Sequence, residues 1–82
     1  MNNINNKKQV YGKWSLKEST NELVYKDNNY TYEIDLDTIS NAKTILNWIF
    51  HISTKSWVDD VDISNLVTAF VDLYGFKYTR EN

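Results

Sequence analysis

The chain has 82 residues, so it holds at most one domain, with one small core and little room for an enclosed active site. An apolar fraction of 41% and a charged fraction of 24% are typical of a globular protein, and the absence of cysteine excludes disulfides, thiolate metal sites and cysteine nucleophiles. The formal net charge of −2 argues against a general nucleic-acid-binding face, which needs a marked excess of basic residues.

The amino-terminal residues 1–8 are polar and lack the apolar stretch of a signal peptide. We expect a flexible tail over residues 1–8, a single α+β domain over residues 9–78 and a frayed carboxyl terminus over residues 79–82. No apolar run approaches the roughly 20 residues of a membrane span. The expected location is therefore the cytoplasm, or the host cytoplasm if the protein is phage-encoded.

Alternating apolar and polar residues in the first half predict three strands, over residues 10–17, 22–26 and 30–36. The inner face of the first strand is predicted to carry Val10, Gly12, Trp14 and Leu16. Two clusters of polar residues, 18–21 and 27–29, have the composition of turns. Short turns between strands indicate an antiparallel meander with one face in solvent.

The apolar period changes from two residues to 3.6 after Asp37, which predicts two helices. Ser40 is the expected N-cap of the first helix, which should end near residues 53–54. Asp59 or Asp60 is the expected cap of the second, and Gly75 should close it. The predicted fold is α+β: a three-stranded antiparallel meander followed by two helices packed on one face (βββαα). Its nearly fully buried residues should include Ile34, Leu36, Ile45, Ile49, Leu66 and Phe70.

Candidates for catalysis or metal binding are few. His51 is the only histidine, and its neighbours one helical turn away, Asn47 and Lys55, supply neither a nucleophile nor a second ligand. Asp59, Asp60 and Asp62 crowd together but lack the glycine and glutamate of a calcium-binding loop. The sequence therefore predicts no catalytic residue, no metal site and no other cofactor, with Asp59, Asp60 and Asp62 acting in helix capping.

Candidates for partner binding are acidic and aromatic. Glu33, Asp35 and Asp37, called the acidic row below, should lie about 7 Å apart on the solvent face of the third strand, close to the phosphate spacing of a nucleic-acid strand. Together with Asp59 and Asp60, the acidic row would suit a protein partner with a basic surface, although an ordinary solvated sheet face is the simpler interpretation.

The aromatic residues offer a different surface. Trp57 is placed either at the end of the core or at the partner interface. Trp14, Tyr32 and Trp48 are expected inside the domain. The helix face around Trp48 and Phe50 could serve a partner or a homodimer, so the sequence leaves open both the interface and the oligomeric state.

One combination of segments resembles a known family. The strand end Ile34-Asp35-Leu36-Asp37 precedes a helix with the block Trp48-Ile49-Phe50, a turn Lys55-Ser56-Trp57 and a segment Leu66-Val67-Thr68-Ala69-Phe70. This order resembles a family of small, mostly uncharacterised proteins from bacteria and their mobile elements, in which the turn carries Thr where this chain has Ser56. The resemblance covers about residues 32–72 and carries over no catalytic residue. It implies a small, phage-borne accessory protein of the type that includes inhibitors of bacterial defence systems.

We therefore expect a small non-enzymatic protein-binding domain, an anti-CRISPR-type inhibitor that occludes a basic functional surface of its target. One alternative is a bacterial accessory or immunity protein that neutralises a cognate protein partner. Another is a small enzyme that uses Asp59, Asp60 and His51. Direct contact with nucleic acid or a membrane is not expected.

Overall fold

Four short strands and two helices make up residues 9–75, the part of the chain that the computed structural model describes. In chain order the elements are β1 Val10–Tyr11, β2 Trp14–Lys17, β3 Glu22–Lys26, β4 Thr31–Asp35, a 3-10 turn Leu36–Thr38, α1 Ala42–Ser53 and α2 Asp60–Tyr74. The strands form one antiparallel sheet in the order β1-β2-β3-β4. The α+β class and the meander are confirmed. The predictions for residues 1–8 and 79–82 lie outside the described residues.

The predicted count of three strands is wrong, because the first predicted strand is two strands joined by a tight turn. Gly12 has φ +64°, a left-handed conformation that other residues rarely adopt, and it occupies the first position of a two-residue hairpin loop. Tyr11 pairs with Trp14 across this loop. Val10 therefore does not share the buried face of Trp14, and it is exposed.

The loop between β3 and β4 fixes the register of the sheet. One carboxylate oxygen of Asp27 accepts hydrogen bonds from the backbone N–H groups of Asn29 and Tyr30, both at 2.8 Å. This local turn places Lys26 opposite Thr31 and, four residues further from the loop, Glu22 opposite Asp35. β4 ends at Asp35, and the next residues form the 3-10 turn.

The two helices begin at side-chain caps. The N-cap of α1 is Asn41 rather than the predicted Ser40, because the Asn41 Oδ1 accepts from the backbone N–H of Thr44 at 3.0 Å. The N-cap of α2 is Asp59, one of the two caps predicted. The Asp59 Oδ1 accepts from the N–H of Asp62, and the Asp62 carboxylate accepts from the N–H of Asp59. Such a reciprocal capping box satisfies two backbone donors that a helix start leaves free.

The core lies between one face of the sheet and the two helices. Its buried residues come from β2, β3, β4, the 3-10 turn with the residue that follows it, and both helices: Trp14, Leu23, Tyr25, Ile34, Leu36, Ile39, Ile45, Ile52, Leu66, Ala69 and Phe70. Ile49 was predicted to be nearly fully buried, but it is only half-buried. On α1 it points to one side of the core-facing direction of Ile45 and Ile52. Tyr32 and Trp48 are also half-buried, whereas Trp14 is fully buried.

Neither helix of the described part is long and apolar enough to cross a lipid bilayer.

Candidate functional site

The acidic row follows β4 and the 3-10 turn. Glu33, Asp35 and Asp37 are all exposed, but only the first two belong to the strand. The Asp35 Oδ1 accepts from the backbone N–H of Asp37 at 2.9 Å and caps the turn. The Asp37 Oδ1 accepts from the side-chain amide of Asn21 at 2.7 Å. Asp35 and Asp37 therefore also hold local structure, whereas no described hydrogen bond involves the Glu33 side chain.

A fourth carboxylate extends the acidic row across the sheet. Glu22 on β3 lies directly opposite Asp35, while Val24 lies opposite Glu33. Like charges at directly opposite positions destabilise a sheet by a few tenths to about 1 kcal/mol. We call Glu22, Glu33, Asp35 and Asp37 the acidic patch. Glu22 was not among the residues predicted from the sequence. The four-residue loop 27–30 was a signal from which its pairing with Asp35 could have been predicted.

Among the described residues, no lysine forms an ion pair with the acidic patch. Within residues 9–75 one ion pair is present, between Lys13 and Asp62, with 3.9 Å from Nζ to Oδ1. Lys17, which lies opposite Glu22 across the β2–β3 pair, makes no ion pair within this range. The acidic patch therefore concentrates four carboxylates at one end of the outer sheet face, with Lys17 as the cross-strand neighbour of Glu22 and no ion pair to the patch within residues 9–75.

Trp57 lies in an aromatic cluster on the other face of the sheet. Its ring contacts those of Tyr25, Tyr30 and Tyr32 at centroid distances of 4.7, 5.7 and 5.5 Å. Because Tyr30 and Tyr32 alternate with Thr31 and Glu33 along the chain, Trp57 and the acidic row face opposite sides of the sheet. The structure therefore does not unite Trp57 with the acidic row.

Asp59 and Asp60 are exposed at the start of α2, close to Trp57 in the chain. Trp57 contacts residues at the beginning of β4, while Asp37 follows its end. The two predicted acidic groups therefore lie towards opposite ends of β4. Asp59 has a structural role in the capping box, which agrees with the capping interpretation of this cluster.

A buried polar group connects the hairpin, β3 and α2. Asp62, only 3% exposed, faces Lys13 with one oxygen and the Tyr25 hydroxyl with the other, at 3.3 Å. The hydroxyl also lies 3.0 Å from an oxygen of Asp27. Burial raises the pKa of Tyr25 above its usual 10.0, and the Asp27 and Asp62 carboxylates raise it further. Backbone N–H donors from Asn29 and Tyr30 lower the pKa of Asp27.

This polar group is structural rather than catalytic in its geometry. Asp62 and the Tyr25 ring are buried between the sheet and α2, while Lys13 is exposed and Asp27 is half-buried. The indole N–H of Trp14 donates to the Asp62 carbonyl at 3.1 Å. Within residues 9–75 no three His, Cys, Asp or Glu side chains form a cluster that could hold a metal ion.

The outer side of α1 is a second candidate surface. Leu46 and Phe50, one helical turn apart, are 64% and 72% exposed. Beside them a groove of about 300 Å³ is lined by Thr44, Asn47, Trp48 and His51. His51 is exposed and contacts the Trp48 ring edge-on. No described hydrogen bond or ion pair joins His51 to Asp59 or Asp60.

Comparisons with known proteins give no relative: no family model, no curated protein and no solved structure matches the chain.

Proposed function

We propose that this chain is a non-enzymatic protein-binding domain that inhibits a larger protein by covering a basic functional surface. The acidic patch carries this proposal, because Glu22 and Asp35 face each other and neither forms an ion pair within residues 9–75. A cationic partner surface would relieve the repulsion between them and would be steered towards this end of the sheet. Burial of the patch against such a surface would occlude whatever the surface normally binds.

The proposed target is a bacterial defence protein, such as a CRISPR effector with a nucleic-acid channel lined by Lys and Arg. This assignment rests on the resemblance of residues 32–72 to small phage and bacterial proteins, together with the spacing of the acidic row. It makes the chain an anti-CRISPR-type inhibitor that acts in the bacterial cytoplasm by occlusion. No step of this mechanism requires a cofactor or a catalytic residue.

The second candidate function is that of an accessory or immunity protein that neutralises a cognate protein. The exposure of Leu46 and Phe50 favours it, because adjacent apolar side chains on a helix suit an apolar partner surface. In this case binding would depend on α1 and little on the acidic patch.

Affinity capture from a bacterial lysate with matched variants tests the proposal. Glu33→Lys reverses a charge of the acidic patch that holds no described hydrogen bond. Glu18→Lys makes the same change in the exposed turn before β3. We expect wild type and Glu18→Lys to retain a basic protein, which mass spectrometry identifies, and Glu33→Lys to bind it at least about tenfold more weakly, about 1.4 kcal/mol.

Two results separate the candidates. A protein lost only from the double variant Leu46→Ser and Phe50→Ser would establish the α1 surface and favour the immunity hypothesis. Retention of the same protein by Glu33→Lys at wild-type affinity would contradict the proposed role of the acidic patch.

A further inference from the structure

We propose that β4 binds an extended segment of the partner as a fifth, antiparallel strand of the sheet, and that lysine or arginine alternates with apolar residues in this segment. The inference rests on the proposed function, since it takes the partner to be basic. It goes further by naming the binding mode and the pattern of the bound segment.

The free edge of β4 supplies the backbone groups for such a strand. The N–H of Asp27 donates to the carbonyl of Tyr30, and the N–H of Leu36 donates to that of Asn21, both at 3.0 Å. Residues 30 and 36 therefore turn their backbone towards β3, and by alternation so do residues 32 and 34. The backbone groups of Thr31, Glu33 and Asp35 point away from the sheet.

These outward groups are almost all unpaired within the described residues. The Asp35 carbonyl accepts from the Thr38 hydroxyl at 2.7 Å, and no other described hydrogen bond reaches the outward groups of Thr31, Glu33 and Asp35. Because β4 pairs only with β3, it is an edge strand of five residues. Exposed edges of this length are the sites at which proteins accept an extra strand.

The opposite edge of the sheet is less suitable. β1 has only two residues, and the hydroxyl of Tyr11 bonds to Asp72 of α2, which packs against this side of the sheet. A strand added there would have too short a ladder to bind by backbone hydrogen bonds. β4 is therefore the edge of the described sheet that can accept a partner strand.

Side-chain charge selects the occupant of this edge. In an antiparallel pair, a residue opposite Glu33 or Asp35 projects its side chain onto the same outer face, next to these carboxylates. A second copy of β4 would bring Glu33 or Asp35 against carboxylates of its own kind, which is unfavourable. A lysine or arginine at the same position would be attracted, so charge complementarity disfavours a homodimer here and favours a cationic strand.

The alternate side chains of the added strand would face α1. The inner face of β4 carries Tyr32, whose ring is contacted by Trp57 and by the Lys55 ammonium, both at 5.5 Å. Trp48, which lines the groove on α1, packs against the same core as Tyr32. The indole N–H of Trp48 donates to the Thr38 hydroxyl at 3.2 Å, which places Trp48, one of the groove residues, near the chain that follows β4. Apolar side chains would fill this space, so the bound segment should alternate cationic and apolar residues.

Amide hydrogen exchange measured by NMR tests the inference with an eight-residue peptide of alternating lysine and valine. In the free protein, the amides of Thr31 and Glu33 should exchange rapidly and those of Tyr32 and Ile34 slowly. A saturating amount of the peptide should slow the Thr31 and Glu33 amides at least about tenfold. An alternating glutamate–valine peptide should leave them unchanged.

N-methylated peptides provide the matched control for backbone pairing. In an antiparallel pair, the lysines opposite Glu33 and Asp35 point their N–H groups at β4, while the valine N–H groups point away. N-methylation of the lysines should abolish the protection, and N-methylation of the valines should preserve it. Equal binding of the two methylated peptides would overturn strand addition and leave a contact through charge alone.

The outcome also separates this inference from the proposed function. If the lysine–valine peptide gives no protection but the captured partner still depends on Glu33, strand addition is wrong and the function stands. If the peptide gives no protection and no captured partner depends on Glu33, both the strand addition and the proposed function are wrong.

Discussion

Phe70 lies at the centre of the core on α2 and is only 2% exposed. Phe70→Ala removes the ring and leaves a cavity, so we expect the free energy of unfolding to fall by about 3–5 kcal/mol. Phe50→Ala is the matched control, because its ring is largely in solvent and its loss should cost under about 0.5 kcal/mol. Urea denaturation followed by circular dichroism measures both, and equal losses would contradict the placement of the two helices.

Tyr25 is fully buried, with its hydroxyl among carboxylates, and its pKa in the folded protein is raised above 10.0. The unfolded chain therefore loses this proton at lower pH than the folded chain. The resulting contribution to stability is complete below pH 10 and falls as the pH rises from there towards the folded-state pKa. The free energy of unfolding should decline above about pH 10.

Tyr25→Phe tests this assignment. At neutral pH the variant leaves Asp62 without one hydrogen-bond donor, which costs about 1–3 kcal/mol. Above about pH 10, its stability should decline less steeply than that of wild type, because one buried phenol no longer titrates. Chemical denaturation at pH 8 and pH 10.5 gives the free energy of unfolding of both proteins. An equal decrease between the two pH values in wild type and in the variant would show that Tyr25 does not titrate as described.

The contacts of Tyr25 also show what a sequence cannot supply. Tyr25 and Asp62 are 37 positions apart, and their local partners, Asp27 and Asp59, give no sign of the pairing. The Asp59–Asp62 capping box, by contrast, spans three residues and was partly predictable from spacing. Local side-chain roles follow from sequence patterns, while buried polar contacts depend on which elements the fold brings together.

Gly12 decides how the first strand segment folds. A Cβ at Gly12 would collide with the side-chain amide of Asn65, and the positive φ would strain any other residue. Gly75 has a similar φ of +61°, with no neighbour within 4 Å of an added Cβ. The strain alone costs about 1–3 kcal/mol at either position. We expect Gly12→Ala to lower the midpoint of thermal unfolding more than Gly75→Ala, because Asn65 must also move. Equal effects would contradict the close contact of the hairpin with α2.

The helices and the last two strands could be predicted because their signals are local. The apolar period of 3.6 and the aspartate cap gave α2 to within a residue of each end. The hairpin was missed because Val10, Gly12, Trp14 and Leu16 alternate as a continuous strand would. The close approach of Asn65 to Gly12, which leaves no room for a side chain at this turn, joins segments far apart in the chain. Ser40 and Asn41 are equivalent as caps in sequence, so only the backbone geometry selects between them.

Charge is unevenly distributed over the whole molecule. Residues 38–58, which include α1, contain Lys43, His51 and Lys55 but no Asp or Glu. The acidic patch lies instead at one end of the outer sheet face. The acidic row was predictable from the alternation of residues along β4. The position of Glu22 beside the row depends on the strand register. The separation of Trp57 from the row depends on the tertiary structure. The outer sheet face and α1 therefore suit different partner surfaces, and the acidic patch carries the proposed function.

The role of the acidic patch in binding is tested by the association rates of the captured partner with wild type and with Glu33→Lys, each measured at low and at high salt. Exposed charges act through steering over a Debye length of about 10 Å at 0.1 M salt, and this length shrinks as salt rises. The wild-type rate should fall with salt, Glu33→Lys should associate more slowly at low salt, and the two rates should converge at high salt. Glu18→Lys should behave as wild type. If Glu33→Lys folds and associates at the wild-type rate with the same salt dependence, the acidic patch is an ordinary solvated sheet face and the account is wrong.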